Sequence, residues 1–183
     1  MDLESYSTLE RIFVVLIIMS PAYLANTFAV LTGGKYPIDQ GKLHHDGNRL
    51  LGDGKTWSGL IGGTIGGMLV GYGLIILIHE FIWESSNILT LFLLSFGALF
   101  GDMTASFYKR RRNLQRGDKF ALLDMYDFIF MSLILCFIFQ RDWLLSWILD
   151  GWVPLFTILV LTPFLHRGVN IIGFKIGVKN EPW

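Results

Sequence analysis

Cysteine is nearly missing from this chain: of 183 residues only Cys136 carries a thiol, and it lies within an apolar run. One cysteine rules out an internal disulfide and a cysteine-based zinc site. Charge is also scarce, at 16% of residues with a formal net charge of zero, against 52% hydrophobic and 15% aromatic residues. Such a sequence has too little polar surface for an ordinary soluble domain of this length and no charge excess to attract nucleic acid. Met1 to Glu10 has no basic stretch ahead of the first apolar run, so no cleaved leader is expected.

What the chain has in quantity is hydrophobic runs of about 20 residues, the length that crosses about 30 Å of hydrocarbon as a helix. Five are predicted, near 11–31, 58–79, 88–107, 120–140 and 152–172, giving one all-α transmembrane catalytic domain over 1–183. Cations gather in loops 32–57 and 108–119 and at the C-terminus, leaving only Arg11 and Arg141 elsewhere. Five spans put those three segments on one side, and the positive-inside rule makes it cytoplasmic, with the N-terminus outside. The segment 80–87 has Glu80 and Glu84 and no Lys or Arg, in agreement with an outside position.

Pro21 and Asn26 fall in the first span, where they suit a kink and interhelical contact. The second carries Gly59, Gly63, Gly67 and Gly71 at four-residue spacing, a close-packing face for a helix of the same chain or of a second copy in a homodimer. The loop between them ends in Gly52-Asp53-Gly54-Lys55-Thr56. A Walker A loop would need glycine where Arg49 stands and a strand before it, so that reading is rejected. Glycines that let backbone approach a ligand, a lysine and a following helix N-terminus nonetheless suit a phosphate. His44 and His45 have no partner at helical spacing and read as loop residues.

Acidic residues interrupt the third and fourth spans. On a continuous helix over 96–110, Asp102, Ser106 and Lys109 share a face; Asp124 and Asp127 share a face of the next. The short basic loop joining these helices makes them antiparallel neighbours, so three carboxylates are expected to converge beneath Lys109 to Arg112. An ionised group at bilayer depth costs at least about 2.5 kcal/mol, which makes intramembrane aspartates functional candidates. Carboxylate oxygens suit Mg2+, which takes substrate phosphates as further ligands, while Lys and Arg meet the remaining phosphate oxygens. The basic run by itself also reads as a topology signal. The alternative function is a proton or cation transporter using the same aspartates, which would have no need of the Gly-Asp-Gly-Lys-Thr loop.

Gly101-Asp102, Ser106, Lys109-Arg110 and Asp124-x-x-Asp127 resemble the core motif of the CTP-dependent CDP-diacylglycerol synthases, although the His-Gly-Gly stretch of that family is missing. The archaeal branch, the CDP-archaeol synthases, is similar over nearly the whole chain. The matching segments are Pro21-Ala22-Tyr23, Pro37-Ile38-Asp39, Gly52-Asp53-Gly54-Lys55-Thr56, Gly62-Gly63, the core motif and Leu161-Thr162-Pro163 with Leu165-His166. Asn48-Arg49 departs from an expected basic pair.

The resemblance implies Mg2+-dependent transfer of a cytidylyl group from CTP to an isoprenoid ether-lipid phosphate at the cytoplasmic face of the cell membrane, with no nucleic-acid partner. It assigns Asp102, Asp124 and Asp127 to the metal and Lys55, Lys109 and Arg110 to the triphosphate. Thr56 and Ser106 add hydrogen bonds, Asp53 and Asn48 contact nucleotide or metal, and His166 and Arg167 take the lipid phosphate.

Overall fold

The computed structural model describes residues 6–78, 87–115, 118, 120–175 and 177. Glu80 and Glu84 of the segment 80–87, Arg116, Gly117 and Lys119 of the loop 108–119, and Lys179 near the C-terminus lie outside them. Among the described residues the structure is all helical, with two isolated bridges, Pro37 to Thr56 and Leu43 to Arg49, in the first long loop. Among the described residues four stretches are long and apolar enough to cross a membrane, Thr8–Leu31, Trp57–Leu77, Ile88–Arg111 and Trp152–Lys175; the span expected near 120–140 is a helix, Ala121–Phe139, but is not one of the four. The chain is an integral membrane protein.

The first stretch is two helices rather than one, α1 (Thr8–Ile18) and α2 (Ser20–Leu31). Ser7 opens α1 with a reciprocal cap, its hydroxyl accepting from the Glu10 amide while the Glu10 carboxylate accepts from the Ser7 amide at 2.8 Å. The break falls at buried Met19, two residues before Pro21, whose ring supplies no amide hydrogen to continue the ladder.

Helix α3 (Trp57–Leu77) lies along α2, and the glycine ladder is the reason. A Cβ added at Gly59, Gly63 or Gly67 would sit 2.9, 2.8 and 2.7 Å from the carbonyl oxygens of Ala29, Ala25 and Pro21. Glycines four apart thus meet carbonyls four apart on an antiparallel neighbour, and the ladder is used within the chain. The other side of α3 turns Ile61, Ile65, Leu69 and Ile76 outward.

Helix α4 (Ile88–Arg111), capped by Asn87, runs antiparallel to α5 (Ala121–Phe139). Their approach is set by Gly97 against the Ser132 backbone and Gly101 against the Asp127 carbonyl, where any Cβ would collide. The Ser132 hydroxyl also reaches the Leu94 carbonyl at 2.8 Å. A short helix, α6 (Arg141–Trp147), leads to α7 (Trp152–Lys175). Pro163 inside α7 leaves the Leu159 carbonyl without its intrahelical donor, and the Tyr126 hydroxyl of α5 donates to it at 2.7 Å. The core lies where these helices meet, among Val14, Met19, Ala22, Leu94, Ala98 and Ile129.

Candidate active site

The site forms where the loop between α2 and α3 folds back onto α4. That loop has few apolar residues to bury, and it is held instead by hydrogen bonds that converge on Asp39. The Asp39 carboxylate, 1% exposed, takes Arg49 Nη2 on Oδ1 at 2.6 Å and Arg49 Nε on Oδ2 at 3.2 Å. It also accepts from the amides of Gly41, Leu51 and Gly52 at 3.2, 3.0 and 2.9 Å. Burial pushes this carboxyl up, but the guanidinium and the three amides outweigh it and hold Asp39 well below the usual carboxylate range. The same contacts raise Arg49 further above its already high value.

From this anchor the chain turns through Gly52, whose φ of +98° favours glycine and whose open side takes the Arg110 guanidinium. Lys55 is then fixed through its backbone, its amide donating to the Gly52 carbonyl at 3.2 Å and its carbonyl accepting from Ile38 at 2.8 Å. Thr56 caps α3, its hydroxyl accepting from the Gly59 and Gly34 amides at 3.1 and 3.3 Å. The Lys55 ammonium ends on the Asp102 carboxylate of α4 in a close ion pair. The C-terminus of α4 ties down the rest of the loop. Arg111 donates to the Arg49 carbonyl at 2.5 Å and to Asp46 at 3.1 Å, while the Asn48 side chain donates to Asn113 at 2.7 Å. The Asp46 carboxyl is held low by the Asn48 amide first and by Arg111 as well.

Lys55 and Asp102 line a cavity of about 460 Å3 together with Asn26, Asp53, Thr56 and His166. On the opposite face of α4, Gly101, Thr104, Ala105 and Tyr108 line an apolar groove of about 510 Å3, and Asp127 of α5 stands at its wall. Leu99, Asp102 and Met103 face the cavity, whereas 101, 104, 105 and 108 face the groove, as helical periodicity requires.

The structure therefore brings Lys55, Thr56, Asp53, Asp102 and His166 of the predicted site residues to one cavity. Lys109 pairs with Asp124 at 2.5 Å and donates to the Asp118 carbonyl at 3.1 Å. Asp127 is within electrostatic reach of Asp102, Lys55 and Asp124. Among the described residues no three acidic, histidine or cysteine side chains surround a single point, and two of the three aspartates carry a lysine instead. Ser106 is half-buried and Arg167 exposed, and neither lines the cavity; Asn48 and Arg110 serve the loop and its contact with α4. Sequence reasoning named Asp39 only in the family comparison, Arg49 there and in rejecting a Walker A loop, and Arg111 only in the basic run, and gave none of them its role in holding the loop, since charged residues give no periodic signal that they are bonded inward. It favoured helix packing over ligand contact for Asn26, which lines the cavity.

A profile of the CarS-like family, CDP-archaeol synthase, matches residues 8–183. The CDP-archaeol synthase of Methanospirillum hungatei JF-1 is 47% identical over 171 residues, covering 90% of this chain and all of that protein. That of Picrophilus torridus is 45% identical, covering 89% of this chain and 92% of its own. A solved structure described as an intramembrane enzyme for archaeal membrane lipids biosynthesis superimposes with a TM-score of 0.71 at 33% identity, covering 87% of this chain and 94% of that one. With the family profile spanning nearly the full length and relatives more than 40% identical over most of the chain, the chain belongs to the CDP-archaeol synthase family and is an enzyme, a cytidylyltransferase.

Proposed function

We propose that the whole chain forms one catalytic unit that transfers a cytidylyl group from CTP to 2,3-di-O-geranylgeranyl-glycerol 1-phosphate, giving CDP-archaeol and pyrophosphate. The reaction takes place at the cytoplasmic face of the cell membrane, where the positive-inside rule puts loop 32–57. The observation that carries this reading is Lys55, delivered by a glycine-flanked loop onto the intramembrane Asp102 inside a polar cavity. A transporter pathway needs the aspartate but has no use for a rigid phosphate-type loop above it.

Mg2+ fits the donor set, because it takes one or two carboxylates and leaves its other positions to water and phosphate. Asp102 and Asp127, both within reach of the Lys55 charge, would hold it, with Asp124 beside them. When bound, the ion supplies positive charge to the phosphate oxygens.

The lipid phosphate is largely dianionic near pH 7, its second pKa being about 6, so it attacks without a dedicated base. Its oxygen bonds to the α-phosphorus of CTP as the bond from that phosphorus to the β-phosphate oxygen breaks, and pyrophosphate departs. Lys55 and the backbone of Gly52 to Gly54 orient the triphosphate, and the ammonium neutralises charge on its oxygens. The groove beyond Gly101 offers an apolar wall to a prenyl chain while Asp127 marks the level of the headgroup.

The test is pyrophosphate release by the purified protein in detergent with Mg2+, offering CTP, ATP, GTP or UTP with and without the lipid phosphate. Release that needs both CTP and lipid supports the reading. Silence with every nucleotide, together with ion flux in liposomes, overturns it.

A further inference from the structure

The loop of 32–57 presents a physical puzzle: it holds a lysine in one place without a hydrophobic core beneath it. Its one deeply buried charged side chain, Asp39, supplies the answer. Both carboxylate oxygens are saturated, by two Arg49 nitrogens and three backbone amides, two of which belong to Leu51 and Gly52 at the start of the phosphate-type turn. The neighbouring Ile38 amide holds the Lys55 carbonyl at the end of that turn. Both ends of the Gly52 to Lys55 turn are thus tied to one dipeptide, Ile38-Asp39. Arg49 spends its remaining nitrogen on Asp53 at the cavity wall, at 2.7 Å, and so faces both the buried anchor and the site.

We propose that Asp39 is a positioning residue for nucleotide binding: with Arg49 as its counter-charge it presets the Gly52 to Lys55 turn, and through it the Lys55 ammonium and the Asp53 carboxylate, before the triphosphate arrives. Neither side chain needs to touch substrate for this. A lone buried carboxylate is strongly disfavoured, so Asp39 requires Arg49, and the pair sets the loop in one shape. A preset loop reduces the ordering cost of binding, and the effect falls on nucleotide affinity rather than on the transfer step.

The inference rests on the cavity being the nucleotide site. Its experiment uses the full chain in detergent with Mg2+, CTP and the lipid phosphate. Asp39→Asn is expected to raise the KM for CTP by at least about tenfold, with kcat within about threefold and the lipid KM within about twofold of wild type. A residue that merely stabilised the fold would lower the active fraction, hence kcat, and leave the KM for CTP alone.

Should Asp39→Asn fail to fold, Arg49→Lys keeps the charge but loses the fork that grips both oxygens, and is expected to move the same KM by a smaller factor. Amide hydrogen exchange without nucleotide is expected to quicken over 50–56 in either variant and stay unchanged over 88–111. A CTP KM within twofold of wild type, or unchanged exchange over 50–56, overturns the proposal. Absence of any CTP-dependent release by the wild-type protein would instead defeat the cytidylyltransfer reading, and the exchange arm would still decide the role of Asp39.

Discussion

The two faces of α4 are built from the same helix and do opposite things. One presents Leu99, Asp102 and Met103 to a polar cavity closed by a loop from outside the helical bundle. The other presents Gly101, Thr104, Ala105 and Tyr108 to an apolar groove, with a second aspartate contributed by α5. Gly101 joins them, because its missing side chain lets the Asp127 backbone come against α4 one residue from Asp102. Two carboxylates reach one neighbourhood, Asp102 from α4 and Asp127 from α5, and in the proposed reaction the polar cavity would admit the nucleotide and the apolar groove the lipid.

The largest expected effect comes from removing the groove-side charge. Asp127→Asn keeps shape, and pyrophosphate release by the folded protein is expected to fall at least about a hundredfold. Retention of more than about a tenth of wild-type activity would break the comparison by leaving the groove face without a chemical role. Thr104→Trp, which fills the groove and leaves the cavity untouched, is expected to raise the lipid KM about tenfold, with the KM for CTP unchanged. A change in the CTP value instead would show that the two faces are not separate.

Smaller effects test the frame around that helix. Gly67→Val forces a side chain against Ser95 of α4 and the Pro21 carbonyl, and is expected to cost about 1–3 kcal/mol, read as a lower Tm in detergent. Gly73→Ala, in the same helix with nothing within 4 Å, is expected to stabilise by about 0.5–1 kcal/mol. The smallest effect concerns pH. The Asp39 carboxyl, facing Arg49 and through it Asp53, is held below its ordinary value of about 3.9. Its contribution to stability is therefore fully present above about pH 4 and is lost as pH falls through the lowered value. Thermal unfolding from pH 7 to pH 3 is expected to show this acid loss in the wild type and a weaker one in Asp39→Asn.

Much of the fold was legible because membrane helices advertise themselves by length and hydropathy. The glycine ladder of α3 and the helical spacing of Asp102 and Lys109 on α4 were equally readable. The Met19 break was foreshadowed by Pro21, although a span that breaks into two helices looks the same in hydropathy as one that bends. The site was legible as a set of residue types, less so as a set of partners. Lys109 was assigned to phosphate on the strength of its charge, and the structure pairs it with Asp124. Asn48 was assigned to nucleotide or metal, and its side chain bonds Asn113. Tyr126 carried no signal at all, since its use depends on a carbonyl freed by Pro163 in a helix 33 residues away.

By itself the sequence determined that this chain lives in a membrane, that it is built of long apolar helices, where two of them approach closely and which carboxylates interrupt apolar runs. Those properties are local: each follows from one run of residues and the medium around it. Only the tertiary structure decided that Lys55 meets Asp102, that the Asp127 backbone packs against Gly101 of α4, and that Asp39 holds the loop between α2 and α3. The first joins residues 47 positions apart, the second joins two helices, and the third depends largely on backbone amides that every sequence has, so their selection comes from the packing of helices and the need to satisfy each buried polar group.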